Sequence, residues 1–518
     1  MHRQYWILGA GPAGLQLSYH LKMAGIEHGV LERSSSAGSF FESYPRHRQL
    51  ISINKSETGF NDDELKLRWD WNSLLCDDGE FRVPKFTEQY FPDADDFVLY
   101  LRAFATRYEL PIEFGADIVR IEKADGLFRL EDRSGRAFTC ERLIIATGLP
   151  KVRALEFPGS ELVESYADIP TDPEAFRGER VLIIGKGNSG FETADSMVGT
   201  TAAIHMLSPK PIRLAWRTHY VGDLRAVNNS VLDTYQLKSQ NTILDASVDR
   251  LSRAEDGSLE AVLTYAHARG QQITLKLDRA INCTGFEYDR SPFGPSCKPV
   301  EAYKGKFPEM TSSWESTNVP GMYFAGVLTH MRDYRKSFSG FIHGFRYNTQ
   351  ALAKILSERH HGESWPVREL DSSVEAVEAF ILERVHKSSA MFQQPAFFGD
   401  VVAFSLERPE LACYADIPLE YFAEERGRDH ADYFTLTMEY GQDDHPDPFA
   451  IERFPDDGAK STFIHPVVRR YVNGRVVAEH HVPEDLENDW YAEMYRAPLR
   501  VFLEEQLSFT VLPKRKLA

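Results

Sequence analysis

The sequence predicts an α/β protein built from two Rossmann-like dinucleotide-binding domains with an additional C-terminal α+β region. Three observations carry this expectation. Two glycine-rich turns, beginning at Gly9 and Gly185, each lie between an apolar strand and an amphipathic helix. An acidic residue, Glu32, stands 18 positions beyond the first turn, and dinucleotide-type signals stop after Trp365-Pro366.

The first turn reads Ile7-Leu8-Gly9-Ala10-Gly11-Pro12-Ala13-Gly14. Gly9 permits the tight bend, Gly11 lets the backbone approach a pyrophosphate, and Gly14 lets the helix pack closely on the strand; Pro12 and Ala13 complete the binding turn. The helix buries Leu17, Leu21 and Ala24 and ends at Gly25. The next strand, Gly29–Glu32, delivers Glu32 to the ribose hydroxyls, with Arg33 beside it. FAD is expected here rather than NAD. Ala37-Gly38-Ser39-Phe40-Phe41 brings Ser39 and Phe40 back over the cofactor, and Leu143–Gly148 ends in an Ala-Thr-Gly turn, with Thr147 and Gly148, that resembles the turn bordering FAD in two-dinucleotide flavoproteins. Gly321–Gly326 is a further strand closing on glycine. A helix from about Ser339 to Glu358 follows, its N-terminus near Phe341 directed at the flavin, where the helix dipole favours negative charge. Val327 stands where such flavoproteins carry an aspartate after that glycine, and Asp333 is the expected substitute.

The second turn, Val181-Leu182-Ile183-Ile184-Gly185-Lys186-Gly187-Asn188-Ser189-Gly190, repeats the logic, with Gly185, Gly187, Asn188 and Ser189 as cofactor contacts. Its second strand, Ala203–Ser208, ends without an acid. Ser208, Lys210 and Arg213 stand there instead, a polar and basic group suited to a 2′-phosphate, so NADPH is favoured over NADH. Arg279–Gly285 is a third strand leading back to the first domain.

The net charge of −18 argues against nucleic-acid and anionic-membrane partners. The first strand starts at about Tyr5, no leader is apparent, and no apolar run spans a bilayer, so a soluble cytoplasmic protein is expected. Five cysteines (Cys76, Cys140, Cys283, Cys297 and Cys413) at irregular spacing fit a reducing compartment, and no Cys-x-x-Cys pair is present to act as a redox dithiol. No histidine spacing suggests a metal site: His360-His361 and His480-His481 are adjacent pairs. Asp443–Asp447 reads as a solvated loop.

Longer strings carry a family resemblance. Tyr44-Pro45-Arg46-His47-Arg48-Gln49-Leu50-Ile51-Ser52-Ile53-Asn54-Lys55 and Trp69-Asp70-Trp71-Asn72-Ser73-Leu74-Leu75 open the series. Gly187–Ala194, His219–Ala226, Asp233–Ser239, Asp333–Ser337 and Gly340–Tyr347 continue it. In this order they resemble flavin-dependent monooxygenases, most narrowly the family of the ER flavoprotein associated with degradation, over residues 1 to about 365 and more faintly through Thr437–Gly441. The resemblance implies an FAD-dependent oxidoreductase. A role in protein degradation is not expected to carry over, and a bacterial relative acting on a small molecule is.

In flavin monooxygenases an asparagine at the position of Asn54 reaches toward the nicotinamide and the peroxyflavin, a task suited to an uncharged amide. Taken by itself, Asn54 also reads as an ordinary turn residue. His343 is a candidate proton relay over the flavin or a satisfied helix histidine. Arg46, His47 and Arg48 are candidates for flavin phosphates or an acidic substrate, or surface charge; Arg48 is taken as a cofactor contact. Arg213, Arg217 and His219 are candidates for NADPH or the substrate. Phe157–Ser165 resembles the monooxygenase linker, but Glu164-Ser165 stands where that linker has histidine, which counts against Baeyer–Villiger oxidation and weakens, without removing, simple N- or S-hydroxylation.

Beyond Trp365, a single helix is expected from Ser372 to Met391, then strands. Val467–Val472 and Arg475–His480 form a hairpin about Asn473-Gly474, and a helix from Asn488 as N-cap to Gln506 buries Trp490, Met494, Leu499 and Leu503. The expected division is 1–155 and 291–365 for FAD, 156–290 for NADPH, and 366–518 as a cover over the active site or a homodimer surface. The expected function is an NADPH-using, FAD-dependent monooxygenase that hydroxylates a nitrogen or sulfur of a small metabolite with molecular oxygen through a C4a-(hydro)peroxyflavin. A flavin reductase or oxidase, and a flavin-bearing interaction module, are the alternatives.

Overall fold

In the first sheet, strand His2–Leu8 runs parallel between His28–Glu32 and Ala137–Ile145. Ile112–Phe114 and Met322–Phe324 extend the sheet at either side, again in parallel. Strands covered on both faces read as continuous apolar runs, and Tyr5, Trp6, Ile7, Val30, Leu31 and Ile144 are all buried. The opening residues of Ala137–Ile145 also pair antiparallel with Leu127–Asp132, which pairs with Ile118–Ala124. The computed structural model describes residues 1–404, 410–427, 429–441, 454 and 457–508.

The second sheet repeats that plan. Arg180–Ile184 lies between Ala203–Ser208 and Arg279–Asn282, with Thr242–Arg253 and Glu164–Ser165 outermost, all parallel. Thr242–Arg253 then continues into an antiparallel meander with Leu259–Tyr265 and Gln272–Leu277. The outgoing strand Lys151–Val152 and the returning strand Phe286–Glu287 pair antiparallel, so the chain leaves the first sheet and comes back through one narrow crossing.

Each glycine turn opens a helix, Pro12–Met23 in the first unit and Asn188–Met197 in the second. Pro12 occupies the first helical turn, where its missing N–H costs nothing. The long helix Ile342–His361 returns under the first sheet and ends at Gly362, in the left-handed region at φ 75°.

The C-terminal region is a six-stranded antiparallel sheet in the order Arg368–Leu370, Leu411–Pro418, Phe398–Ala403, Asp432–Glu439, His465–Val472, Arg475–His481. One face packs Val402, Phe434 and Val468 against helices Val374–Lys387 and Glu493–Ser508. The other places Val401, Tyr414 and Ile417 in the same core as Leu352, Ile355 and Leu356 of the long helix. The hairpin forms about Asn473 (φ 50°) and Gly474 (φ 73°), the two left-handed residues a type I′ turn requires.

Two expected elements differ. The helix expected from Ser372 to Met391 is two, Val374–Lys387 and Ser389–Gln393. Ser388 breaks it: its hydroxyl accepts from the Met391 amide as the second helix's cap and donates to Asp416 at 2.8 Å. The last helix starts at Glu493, and Asn488 is not its cap. Asp485 accepts from the amides of Glu487 and Asp489 and holds a turn there, with Asn488 and Trp490 at positive φ. Trp490, Leu499 and Leu503 are buried, but Met494 is 58% exposed and Tyr495 takes its place in the core. The Asp443–Asp447 stretch lies outside the described residues.

Candidate cofactor and active site

The two glycine turns are local copies. A Cβ on Gly14 would lie 1.9 Å from the Gly9 carbonyl oxygen, and one on Gly190 would lie 2.4 Å from that of Gly185. Both glycines are therefore demanded by helix–strand packing. Gly11 and Gly187 differ: a Cβ there would meet nothing within 4 Å, so their backbones face open space where a pyrophosphate can approach.

A cavity of about 510 Å³ lies over the first turn, within the usual range for a small-molecule site. Gly9, Gly11, Pro12, Ala13, Glu32 and Arg33 line it. Ser39, Phe40, Thr147, Gly148, Gly326 and Phe341 line it as well, so twelve of the expected cofactor residues converge. Gly14 supports the turn from behind. Glu32 is 5% exposed, and its carboxylate accepts from the Ala10 amide at 2.7 Å, the Ser34 amide at 2.9 Å and the Ser39 hydroxyl at 3.2 Å. Gly326, at φ 72°, packs so tightly on the first helix that a Cβ would come 2.7 Å from that of Ala13. The acid at the second strand's end, the open turn at Gly11 and the two helix N-termini together fit an FAD molecule. No cysteine is among the residues lining the cavity, and Cys140, Cys283, Cys297 and Cys413 are buried as free thiols.

Other candidates lie elsewhere. Asn54 is 2% exposed, and its amide nitrogen donates to Asp70 at 2.7 Å while its oxygen accepts from Asn72. Ser52, two residues earlier, reaches the cavity wall. His343 packs on the cavity residue Phe341, with ring centroids 5.7 Å apart, and on Trp71 at 4.5 Å. Neither of its ring nitrogens has a hydrogen-bond partner. Burial, reinforced by the charges of Arg346 and Arg225, holds its imidazole well below the ordinary pKa and therefore neutral. Arg48 pairs with Asp95 at 2.5 Å and Arg46 donates to the Ile169 carbonyl at 2.6 Å. Neither arginine lines the cavity.

In the second unit the Asn188 side chain organises the loop that follows. Its nitrogen donates to the Asp223 carbonyl at 2.9 Å, and its oxygen accepts from the Arg225 amide at 2.9 Å and from Asn228 at 3.2 Å. Ser189 lies in the first turn of the helix, where its carbonyl accepts from Thr193. Ser208 donates to the Lys210 carbonyl at 3.0 Å, and Arg213 donates to Asp223 at 3.0 Å. Lys186, inside the glycine turn, is nearly buried and ion-pairs with Asp245, a partner brought alongside Ser208 by parallel strand register.

Sequence reasoning missed a constellation beside the cavity. Tyr220 and the Nε2 of His330 are hydrogen-bonded at 2.8 Å, and His330 Nδ1 and Asp333 Oδ1 at 3.0 Å. Asp333, the expected substitute for the missing flavoprotein aspartate, is thus engaged with His330 and the Ser339 amide rather than lining the cavity. The His-x-x-Asp spacing is visible in the sequence; the tyrosine arrives from a segment 110 residues earlier. Burial pushes the Tyr220 phenol well above its ordinary value. Among the described residues, no helix is long and apolar enough to cross a membrane and no cluster could hold a metal ion.

Comparison with known proteins agrees with this architecture. Residues 6–326 match the family described as pyridine nucleotide-disulphide oxidoreductase. The chain is 37% identical to the FAD-dependent oxidoreductase domain-containing protein 2 of Mus musculus, across 98% of this chain and 84% of that protein. Among solved structures, a flavin-containing monooxygenase from Stenotrophomonas maltophilia superposes with TM-score 0.55 at 18% identity, covering 69% of this chain and 99% of its own. The bacillithiol disulfide reductase of Bacillus cereus gives 0.54 at 19% identity, covering 70% and 100%. At these identities the two structures speak for the fold. The chain belongs to the pyridine nucleotide-disulphide oxidoreductase family, and it is an FAD-dependent oxidoreductase related over nearly its whole length to FAD-dependent oxidoreductase domain-containing protein 2.

Proposed function

We propose that the protein is an NADPH-using flavin monooxygenase that hydroxylates a nitrogen or sulfur of a small metabolite with molecular oxygen. The observation that carries this reading is the second glycine turn. Gly187 faces open space as Gly11 does, while the first cavity has no cysteine in its lining to pass electrons to a disulfide. Bound FAD would accept hydride from the nicotinamide and supply electrons to oxygen.

The chain's own residues then have separable tasks. Glu32 would hold the ribose of FAD, and the amides opening Pro12–Met23 would hold its pyrophosphate. Ser208, Lys210 and Arg213 would favour a 2′-phosphate, because that strand ends without a carboxylate of its own. Phe40, Phe41, Phe341 and Phe345 make much of the cavity wall apolar and would exclude water from the reacting centre.

A second reading is an NAD(P)H-dependent flavin reductase or oxidase, and one observation favours it. The Asn54 amide, expected at the oxygenating centre, is hydrogen-bonded to Asp70 and Asn72. Turnover under ¹⁸O₂ with a panel of primary amines and thioethers separates the two. Incorporation of one labelled oxygen atom into product, with NADPH consumed in equal amount, is the expected result. NADPH consumption that yields only hydrogen peroxide would overturn the monooxygenase reading. Comparing NADPH with NADH as reductant tests the phosphate preference.

A further inference from the structure

Tyr220 lies on the His219–Ala226 segment of the second nucleotide unit, whereas His330 and Asp333 follow the cavity-lining Gly326 of the first. The three meet at the junction of the units. The Tyr220 and His330 rings lie nearly parallel, their planes 4° apart, and the Tyr220 ring meets that of the cavity residue Phe341 at a steep angle, with centroids 6.0 Å apart. Gly340, also in the cavity wall, touches the other side: a Cβ there would lie 3.0 Å from the His330 ring. Gly340 and Phe341 of the cavity wall thus both pack against the imidazole, which stands behind them.

The proton positions follow from the partners. Asp333 accepts from the Ser339 amide at 3.0 Å through one oxygen and faces His330 Nδ1 with the other, which assigns the ring proton to Nδ1. Nε2 is then an acceptor. The Arg335 amide, which can only donate, approaches the same nitrogen at 3.5 Å. Tyr220 must therefore donate its hydroxyl proton to Nε2, leaving its oxygen lone pairs for a hydrogen-bond donor. His330 and Asp333 are 3% and 2% exposed, while Tyr220 is half-buried and stands beside the cavity lining rather than in it.

We propose that Tyr220, His330 and Asp333 form a proton relay at the unit junction, whose tyrosine oxygen takes a proton from the ammonium group of an amine substrate. This rests on the monooxygenase reading and narrows its substrate to a nitrogen compound. As the substrate N–H bond breaks, its proton joins Tyr220 Oη. Tyr220's own proton passes to His330 Nε2, leaving a neutral amine and an imidazolium paired with Asp333. A neutral nitrogen lone pair is what oxygenation of an amine requires, whereas a thioether needs no deprotonation. Tyr220 is the residue that touches substrate; His330 and Asp333 act through it. The charged and titratable groups around the relay are Tyr334, Arg335 and Asp223, with Arg335 and Arg213 both paired to Asp223 and Lys306 reaching Tyr334.

The test has two arms. In the first, ¹⁵N spectra of the His330 ring are recorded on the full-length protein as purified, assigned with H330Q, for wild type and for D333N. The expected result is an Nδ1–H tautomer in wild type, with the Nδ1–H hydrogen-bond signal weakened in D333N, where a neutral amide replaces the carboxylate acceptor. An Nε2–H tautomer, or an Nδ1–H signal that D333N does not change, overturns the relay. In the second, NADPH-dependent product formation is followed with hexylamine and with a dialkyl thioether. Y220F should lose about 100-fold in kcat with the amine, the ordinary scale of acid–base catalysis, and at least ten times more than with the thioether. Equal losses with both probes overturn the proposal and leave Tyr220 a structural residue. Product from neither probe, with the expected imidazole spectra, would overturn the monooxygenase reading and the substrate assigned to the relay, whereas the spectra, which need neither substrate nor oxygen, overturn the hydrogen-bonded relay by themselves.

Discussion

The Glu32 carboxylate accepts a hydrogen bond from the Ala10 amide at 2.7 Å, tying the end of the second strand to the middle of the first glycine turn. One side chain thus shapes the turn and waits at the ribose position. Glu32→Ala removes three acceptor contacts and the ribose partner together. The expected outcome is a loss of FAD affinity of about 10- to 150-fold, from about 1.5–3 kcal/mol of lost charge-assisted hydrogen bonding. Titration of apoprotein with FAD, followed by flavin fluorescence quenching, measures it. Unchanged affinity would remove Glu32 from the site.

Gly11 and Gly14 should respond in opposite ways to the same methyl group. Gly14→Ala places a Cβ 1.9 Å from a backbone oxygen and should destabilise the apoprotein by about 1–3 kcal/mol or more, seen as a lower Tm. Gly11→Ala meets nothing within 4 Å, so apoprotein Tm should hold while FAD affinity falls. Identical behaviour of the two variants would contradict the division into packing glycine and binding glycine.

A half-buried acid should make stability depend on pH. Burial and the neighbouring Asp416 push the Glu64 carboxyl up from 4.5 to about 7, with the Ser389 amide donating to it at 3.1 Å. The folded protein therefore keeps a proton that the unfolded chain releases between those values. This contribution favours the fold at low pH and is lost as pH rises toward about 7. Glu64→Gln, which stays neutral, should have little advantage near pH 4.5 and a growing one up to about pH 7, constant above it. Thermal melts of both proteins across that window check the sign.

The C-terminal sheet also reaches the second nucleotide unit, where Tyr440 stacks on His219 with ring centroids 4.3 Å apart. Tyr440→Ala should remove about 0.5–1.5 kcal/mol of aromatic contact. Faster amide exchange in residues 213–225, with FAD content unchanged, is the expected result. Unaltered exchange there would mean the stack does not restrain the segment that carries Tyr220.

The residue pattern alone determined both mononucleotide folds, because each depends on local rules: strand, glycine turn, helix and a following strand lie within about thirty residues. Glu32 and Gly11 were legible for that reason, Thr147 and Phe341 from the turn and the helix N-terminus expected to border the flavin, and the structure places all four in the lining of one cavity. The Asn-Gly hairpin was equally readable, since two left-handed residues set its turn. The last helix was misjudged at its start because Asp485 competes for the local amides, a choice that composition does not announce. Asn54 and His343 were singled out by residue type and motif position. Only tertiary packing turned one toward Asp70 and buried the other against Trp71. Tyr220 reaches the His330–Asp333 pair solely because the second unit docks on the first, and no spacing rule spans the 110 residues between tyrosine and histidine. Short-range backbone geometry is encoded by neighbours in the chain; which polar side chains share a proton depends on how separately built sheets close upon each other.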